Sequence, residues 1–105
     1  KAKELVINPG QSLSDQRHFH RSEHWYILEG AMKMDIEHGD IISTNMGRDE
    51  TIVLKQHQTY IIHREDWHRA YNPYDKPCHI LEVQYGNKCI EEDIERRTII
   101  NKGMK

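Results

Sequence analysis

Apolar and polar residues alternate along several short segments of the chain. In Ala31–Glu37, two methionines and an isoleucine take every second position and charged residues lie between them, as in a strand buried on one face. Residues 78–85 alternate in the same way. Six further segments have the composition of strands: Ala2–Ile7, 24–28, 41–44, 51–55, Thr59–Ile62 and Trp67–Tyr71. Short strands at intervals of roughly 8–12 residues predict an all-β sandwich or barrel.

One segment has the charge pattern of a helix. Residues 90–97 carry acidic residues early and two arginines late, which suits the dipole of an α-helix. Residues 45–49 are predicted to form a hairpin loop. We therefore predict one domain over residues 1–105, a small closed barrel with a short C-terminal helix. Such a barrel can hold one ligand at its mouth.

The charge balance argues against two classes of partner. The chain has 15 Lys+Arg and 17 Asp+Glu, so no field of one sign attracts nucleic acid or an anionic membrane. The longest apolar run is residues 25–28, and we recognise neither a membrane helix nor a signal peptide. Cys78 and Cys89 are too few for a disulfide framework, and they fit reduced thiols in a cytoplasmic protein.

Histidine is the unusual feature of the composition, with eight residues in the chain. A chain rich in histidine and poor in cysteine favours a metal site of nitrogen and oxygen ligands. His18 and His20 lie two positions apart, so in a strand they point to the same face. With Glu23 and His68 they would hold one divalent transition metal and leave positions for water or substrate. The alternative is that these are surface histidines on a polar strand.

The spacing of these residues resembles the two motifs of the cupin superfamily. The first motif is His-x-His, then Glu, six intervening residues and Gly, which here are His18, His20, Glu23 and Gly30, with one residue fewer than usual before Glu. In the second motif, His68 and Asn72 match, whereas its Gly, Pro and Gly positions hold His57, His63 and Glu65. These departures concern the shape of the turn, because glutamate enters positive φ less readily than glycine.

A longer stretch is similar to type II phosphomannose isomerases, a cupin family often fused behind a mannose-1-phosphate guanylyltransferase. Residues 12–25 resemble the family's Ser-Leu-Gln-x-His-x-His-Arg-x-Glu-His-Trp signature: the chain keeps its Gln, both spaced His, Arg, Glu, His and Trp, and departs at Asp15, where the family has Leu. Residues 80–86 and 91–94 resemble the family's Ile-Glu-Val-Gln-x-Gly and Glu-Asp-Asp-Ile. The resemblance covers about residues 5–97 and is weakest between residues 31 and 59.

The resemblance implies a cupin-type β-barrel (a double-stranded β-helix or jelly roll) that interconverts an aldose and a ketose phosphate through an enediol. It implies the metal ligands His18, His20, Glu23 and His68. The metal would be one divalent ion, zinc first, with iron, manganese or nickel as alternatives, and it would stabilise the oxyanion. The implied partners are a small sugar phosphate and a second copy of the chain in a homodimer.

Three further residues are candidates for substrate chemistry. His24 and Glu82 are candidates for the base; the alternatives are that His24 packs on the outside and that Glu82 is an exposed acid. Arg21 could clamp the phosphate, because a guanidinium matches phosphate geometry, or it could be exposed in a turn. Several aromatic residues and methionines are expected in the core: Trp25, Met32, Met34, Tyr60, Trp67 and Tyr71.

Two other functions stay open at this point. One is a cupin module that binds a metal and a sugar without turnover. The other is an Fe(II) dioxygenase, because the same ligand set supports oxygen chemistry on this fold.

Overall fold

A computed structural model describes residues 1–37, 49–86 and 93–97 of the chain. Nine β-strands form within these ranges: β1 (Ala2–Ile7), β2 (Asp15–Arg17), β3 (Arg21–Glu29), β4 (Ala31–Glu37), β5 (Asp49–Lys55), β6 (Thr59–Ile62), β7 (Trp67–Tyr71), β8 (Cys78–Gly86) and β9 (Glu95–Arg97). Every predicted strand is confirmed except the one over 41–44, which lies outside the described residues, as do positions 45–48 of the predicted loop. Within the described residues, no helix is long and apolar enough to cross a membrane.

The strands form two antiparallel sheets, ordered β1-β8-β3-β6 and β5-β4-β7-β2-β9. Side chains from both sheets meet in one core: Ile7, Trp25, Ile27, Met32, Met34, Ile36, Leu54, Ile62, Ala70, Cys78 and Ile80. The alternation along β4 is therefore a true inside–outside pattern, and Met32 and Met34 are fully buried as predicted. Burying each such side chain stabilises the fold by roughly 1.5–3 kcal/mol. Tyr60 packs against this core from its edge.

The core also contains a thiol. Cys78 is fully buried and free, and burial raises its pKa to about 11. The thiol therefore stays protonated at neutral pH, which makes it a packing group rather than a nucleophile. Cys89 lies outside the described residues.

The predicted helix over residues 90–97 is wrong where the structure describes it. Glu95–Arg97 is strand β9, which pairs antiparallel with β2, and residues 90–92 lie outside the described part. The two strands are also joined by an ion pair, with Arg17 Nη2 2.9 Å from Glu95 Oε1. Local helix propensity is worth only a few tenths of a kcal/mol per residue, so pairing with a distant strand overrides it.

Two turns carry a backbone conformation that favours glycine. His57 and Glu65 have φ angles of 73° and 72°, and both stand where the second cupin motif has glycine. The turn shape is therefore kept although the glycines are not. The backbone N–H of Glu65 donates to the His18 carbonyl at 2.6 Å, so this turn also supports the segment that carries His18.

Replacing Glu65 with glycine is expected to raise the free energy of unfolding by roughly 0.5–1 kcal/mol. The reason is that the strain of a non-glycine residue at positive φ costs more than the entropy that glycine adds to the unfolded chain. Chemical denaturation with urea measures it. Arg64→Gly is the matched control, since Arg64 is an exposed neighbour without positive φ, and it should lose stability. Equal losses from both variants would contradict the reasoning.

Candidate active site

A cavity of about 270 Å³ opens between the two sheets. Its walls come from inward-facing side chains of β1, β2, β3, β7 and β8 and from the segment at residues 94–96. The lining residues are Lys3, Leu5, Leu13, Ser14, Gln16, Arg21, Glu23, Trp25, His68, Ala70, Glu82, Ile94 and Arg96. Three cations and two carboxylates around one small space make this a polar site within an apolar barrel.

Three potential metal ligands meet at the wall of the cavity. One donor atom from each of His18, Glu23 and His68 lies within 4.8 Å of the other two, and all three residues are buried. The Nε2 atom of His18 is 3.0 Å from Glu23 Oε2, and that of His68 is 3.8 Å from Glu23 Oε1. These are three of the four ligands that the sequence predicts, contributed by β3, β7 and the connection before β3.

Main-chain carbonyls set the orientation of both imidazoles. The Nδ1 atom of His18 lies 2.7 Å from the Asp93 carbonyl oxygen, and that of His68 lies 3.2 Å from the Asp66 carbonyl oxygen. A carbonyl only accepts, so each Nδ1 carries the hydrogen. In the neutral rings both Nε2 lone pairs then face the Glu23 carboxylate, and the Arg21 guanidinium lies between two of these acceptors, with Nη2 3.3 Å from His18 Nε2 and 3.0 Å from Glu23 Oε2.

The structure does not bring the predicted ligand His20 into this group. Its side chain is exposed, and among the described residues the cluster contains only the other three. Alternation fails here because residues 18–20 are not a strand: β2 ends at Arg17 and β3 begins at Arg21. In the connection between them, the side chains of His18 and His20 point to different surroundings.

Arg21 is buried at the centre of the site, not exposed in a turn. Its Nε and Nη2 atoms lie 3.2 Å and 3.0 Å from Glu23 Oε2, and Nη2 is also 3.3 Å from His18 Nε2. This geometry commits the guanidinium to Glu23. Because the guanidinium already contacts Glu23, it is less available to bind a phosphate, which was its predicted role.

Glu82 lies inside the barrel, only 4% exposed, and not on the surface. The indole N–H of Trp25 lies 3.2 Å from both Glu82 Oε2 and Glu23 Oε1, so it bridges the two carboxylates. Gln84 Nε2 donates to Glu82 Oε1 at 3.4 Å, and Lys3 Nζ is 3.9 Å from the same oxygen. Trp25 is thus both a core residue, as predicted, and a donor within the site.

His24 faces away from the cavity, as expected for the residue that follows Glu23 on a strand. It stands opposite Ile61 on β6 and Val83 on β8, on the outer face of the sheet. Trp67 and Tyr71 also lie apart from the cavity, beneath the guanidinium groups of Arg17 and Arg69.

The buried carboxyls have opposite electrostatic environments. Burial alone raises the pKa of a carboxyl, but the adjacent His18 side chain, a hydrogen bond with Glu82 and the nearby His68 imidazole hold that of Glu23 well below its ordinary value. Burial, the hydrogen bond with Glu23 and the charge of Glu23 raise the pKa of Glu82 to about 7. Burial also lowers the pKa of His68, against the attraction of Glu23. Near neutral pH, Glu23 is the charged partner and Glu82 is the group able to gain or lose a proton.

Metal-free protein is expected to lose stability as the pH rises from about 4.5 to about 7 through Glu82. The folded-state pKa of Glu82 lies above the unfolded value of 4.5, so folding favours the protonated acid. Ionisation of Glu82 therefore destabilises the folded state. Glu82→Gln removes this term, and its stability relative to the parent should improve by on the order of 2 kcal/mol between pH 5 and pH 8. Urea titrations in the presence of a chelator measure the difference. Exposed Glu29→Gln is the control, and parallel stability curves for all three proteins would contradict the assignment.

Sequence reasoning overlooked Asp93, whose carbonyl holds His18 and whose carboxylate accepts the backbone N–H groups of Phe19 and His20. It also overlooked Lys3 at the cavity. The signal for Asp93 in the sequence was its position within residues 91–94, which resemble the Glu-Asp-Asp-Ile segment of phosphomannose isomerases.

Comparison with known proteins identifies relatives of the chain. Residues 1–98 match the family model of the mannose-6-phosphate isomerase C-terminal domain. The alginate biosynthesis protein AlgA of Pseudomonas aeruginosa is 34% identical over 96 residues, which are 91% of this chain and 18% of AlgA. The mannose-1-phosphate guanylyltransferase of Escherichia coli K12 is 32% identical over 96 residues, with the same coverage of 91% and 18%. The chain thus spans less than a fifth of the length of these curated relatives.

Among solved structures, a dTDP sugar isomerase from Desulfovibrio desulfuricans G20 superposes with a TM-score of 0.81. The superposition covers 93% of this chain and 64% of that one, at 15% identity, which shows the fold alone. The two-sheet barrel is a cupin fold, as predicted. On the strength of the family match over residues 1–98, the chain belongs to the mannose-6-phosphate isomerase C-terminal family.

Proposed function

We propose that this domain is a metal-dependent isomerase that interconverts an aldose phosphate and a ketose phosphate, with mannose 6-phosphate and fructose 6-phosphate as the pair. The observation that carries the proposal is the bridge made by Trp25, which places the carboxyl of Glu82 beside the buried group of His18, Glu23 and His68. A proton carrier and a potential cation site thus share one cavity. Family membership supports the same chemistry.

The residues fit a divalent cation. Two Nε2 lone pairs and a carboxylate converge, and both rings donate their Nδ1–H to carbonyls, as metal-binding histidines do. Glu23 Oε2 faces Arg21, while Oε1 stands 3.8 Å from His68 Nε2, a separation too long for a hydrogen bond. His18, Glu23 and His68 would hold the ion, with zinc, iron, manganese and nickel all suited to such ligands. When bound, it would supply positive charge to the sugar oxygens at C1 and C2.

Glu82 is the proposed base of the reaction. As a carboxylate it would take the proton from C2 of the aldose while O1 gains a proton from water, which gives the enediol. As the acid it would return the carbon-bound proton to C1 while O2 loses its hydroxyl proton to water, which gives the ketose with no net change in the enzyme. A pKa of about 7 suits a group that must both accept and donate at neutral pH. The Trp25 indole holds the carboxyl in place for both steps.

Arg96 and Lys3 are the proposed phosphate contacts. Both line the cavity and both are exposed, Lys3 with 42% of its side chain, so their charges reach solvent at the mouth. The Arg96 Nε donates to Ser14 Oγ at 3.3 Å, which directs the guanidinium along the rim. Arg96 is therefore better placed for a phosphate than Arg21, whose guanidinium contacts Glu23.

Arg96→Gln is expected to raise the KM for mannose 6-phosphate about 10–100-fold with little change in kcat, because a charge-assisted bond to phosphate is worth about 1.5–3 kcal/mol. Steady-state kinetics measure both constants. Arg69→Gln is the matched control, since Arg69 pairs with Asp35 away from the cavity. An unchanged KM in the Arg96 variant would remove this residue from the substrate site.

A coupled assay for conversion of mannose 6-phosphate to fructose 6-phosphate, with each of the four metals, tests the function directly. Turnover that disappears with a chelator and returns with metal is the expected result. Binding of metal and sugar phosphate without turnover would favour a non-catalytic module. Oxygen consumption with Fe(II) in place of isomerisation would favour a dioxygenase.

A further inference from the structure

Asp93 contacts the connection between β2 and β3 through both its main chain and its side chain. It is 6% exposed and lies 73 to 75 positions away from the residues it contacts. Its carboxylate oxygens accept the backbone N–H groups of Phe19 at 2.9 Å and His20 at 2.8 Å. Its carbonyl oxygen accepts the Nδ1–H of His18 at 2.7 Å.

The connection depends on these contacts because residues 18–20 belong to no strand. Its two consecutive N–H groups are directed into a carboxylate, an acceptor whose hydrogen bonds are about twice as strong as neutral ones. On the other side, the His18 carbonyl accepts the N–H of Glu65. The position of the imidazole is therefore set by partners from two distant parts of the chain.

We propose that Asp93 is a positioning residue for His18. The carboxylate holds the backbone of the connection, and the carbonyl of the same residue fixes the Nδ1–H tautomer of the ring. The Nε2 lone pair is thereby aimed at Glu23. Because one residue makes both contacts, the backbone and the ring cannot shift independently.

The proposal rests on the proposed function only where it treats His18 as a metal ligand. It also gives a physical role to Asp93, one residue of the motif at 91–94. The role differs from that of Glu95 two positions later, which is exposed and pairs with Arg17.

The test compares Asp93→Ala and Asp93→Asn with the control Glu95→Gln in the metal-free chain. Nitrogen-15 NMR of labelled histidine reports the tautomer of each ring, and His18→Gln identifies the His18 signals. The parent and the control should show His18 as the Nδ1–H tautomer. The alanine variant should show a mixture at His18 while the His68 signals stay unchanged.

Titration with Co²⁺, followed by its visible absorption, is the second readout. Its Kd should rise about 10–100-fold in the alanine variant and by less in the asparagine variant, which keeps one oxygen acceptor. If the alanine variant does not fold, the asparagine variant alone must show the tautomer change. A folded Asp93 variant with the parental His18 tautomer and Co²⁺ affinity would overturn the proposal. The tautomer is read without metal or substrate, so an inactive or metal-free parent would refute the proposed function and leave this inference standing.

Discussion

His68→Ala protein is expected to retain less than about a tenth of an equivalent of zinc after dialysis, where the parent chain retains about one. The reason is that the site has three protein ligands, so removal of one imidazole leaves two, too few to hold the ion. His18→Ala should behave in the same way. Elemental analysis of folded, gel-filtered protein makes the measurement.

His20→Ala is the matched control for this experiment, because His20 is exposed and lies outside the ligand group. It should keep the parental zinc content. Loss of zinc in His20→Ala together with retention in His68→Ala would show that the ligand set is wrong. Affinity in the parent should also fall at acid pH, because imidazole must be neutral to bind. Since burial lowers the pKa of His68, that ring should remain a ligand at lower pH than an exposed histidine.

The second large effect concerns the base. Glu82→Gln is expected to lower kcat for isomerisation about 10²–10⁴-fold, since an amide can occupy the same space but cannot carry the proton. The KM for mannose 6-phosphate should change much less, because the proposed phosphate contacts remain. Steady-state kinetics and zinc content should be measured on the same preparation, so that loss of metal is not mistaken for loss of the base.

His24→Gln is the control that separates the two candidate bases. His24 lies on the outer face opposite Val83, and its replacement should leave kcat within about twofold of the parent. If the His24 variant loses activity and the Glu82 variant keeps it, the base has been assigned to the wrong residue. If both variants keep activity, the proton is carried by another group or by water.

The sequence predicted the strands well because a strand's signal is local. Alternation in Ala31–Glu37 reports which side of the chain is buried, and that burial is what forms the strand. The same rule placed His24 outside and would have placed Glu82 inside, since Ile80 two positions before it is in the core. The rule failed for His20 because it was applied to residues 18–20, which are not extended.

By itself, then, the sequence determined the all-β class, most strand positions and the family, and it brought His18, Glu23 and His68 into one hypothesis. Only the tertiary structure decided that residues 95–97 are a strand and that Asp93 orients His18. It likewise decided that Arg21 is committed to Glu23 and that Trp25 joins two carboxylates. Apart from the contact between Arg21 and Glu23, these outcomes depend on contacts between residues far apart in the chain, up to 75 positions for His18 and Asp93. Local propensities differ by only tenths of a kcal/mol there, so burial and hydrogen bonds with distant partners determine the result.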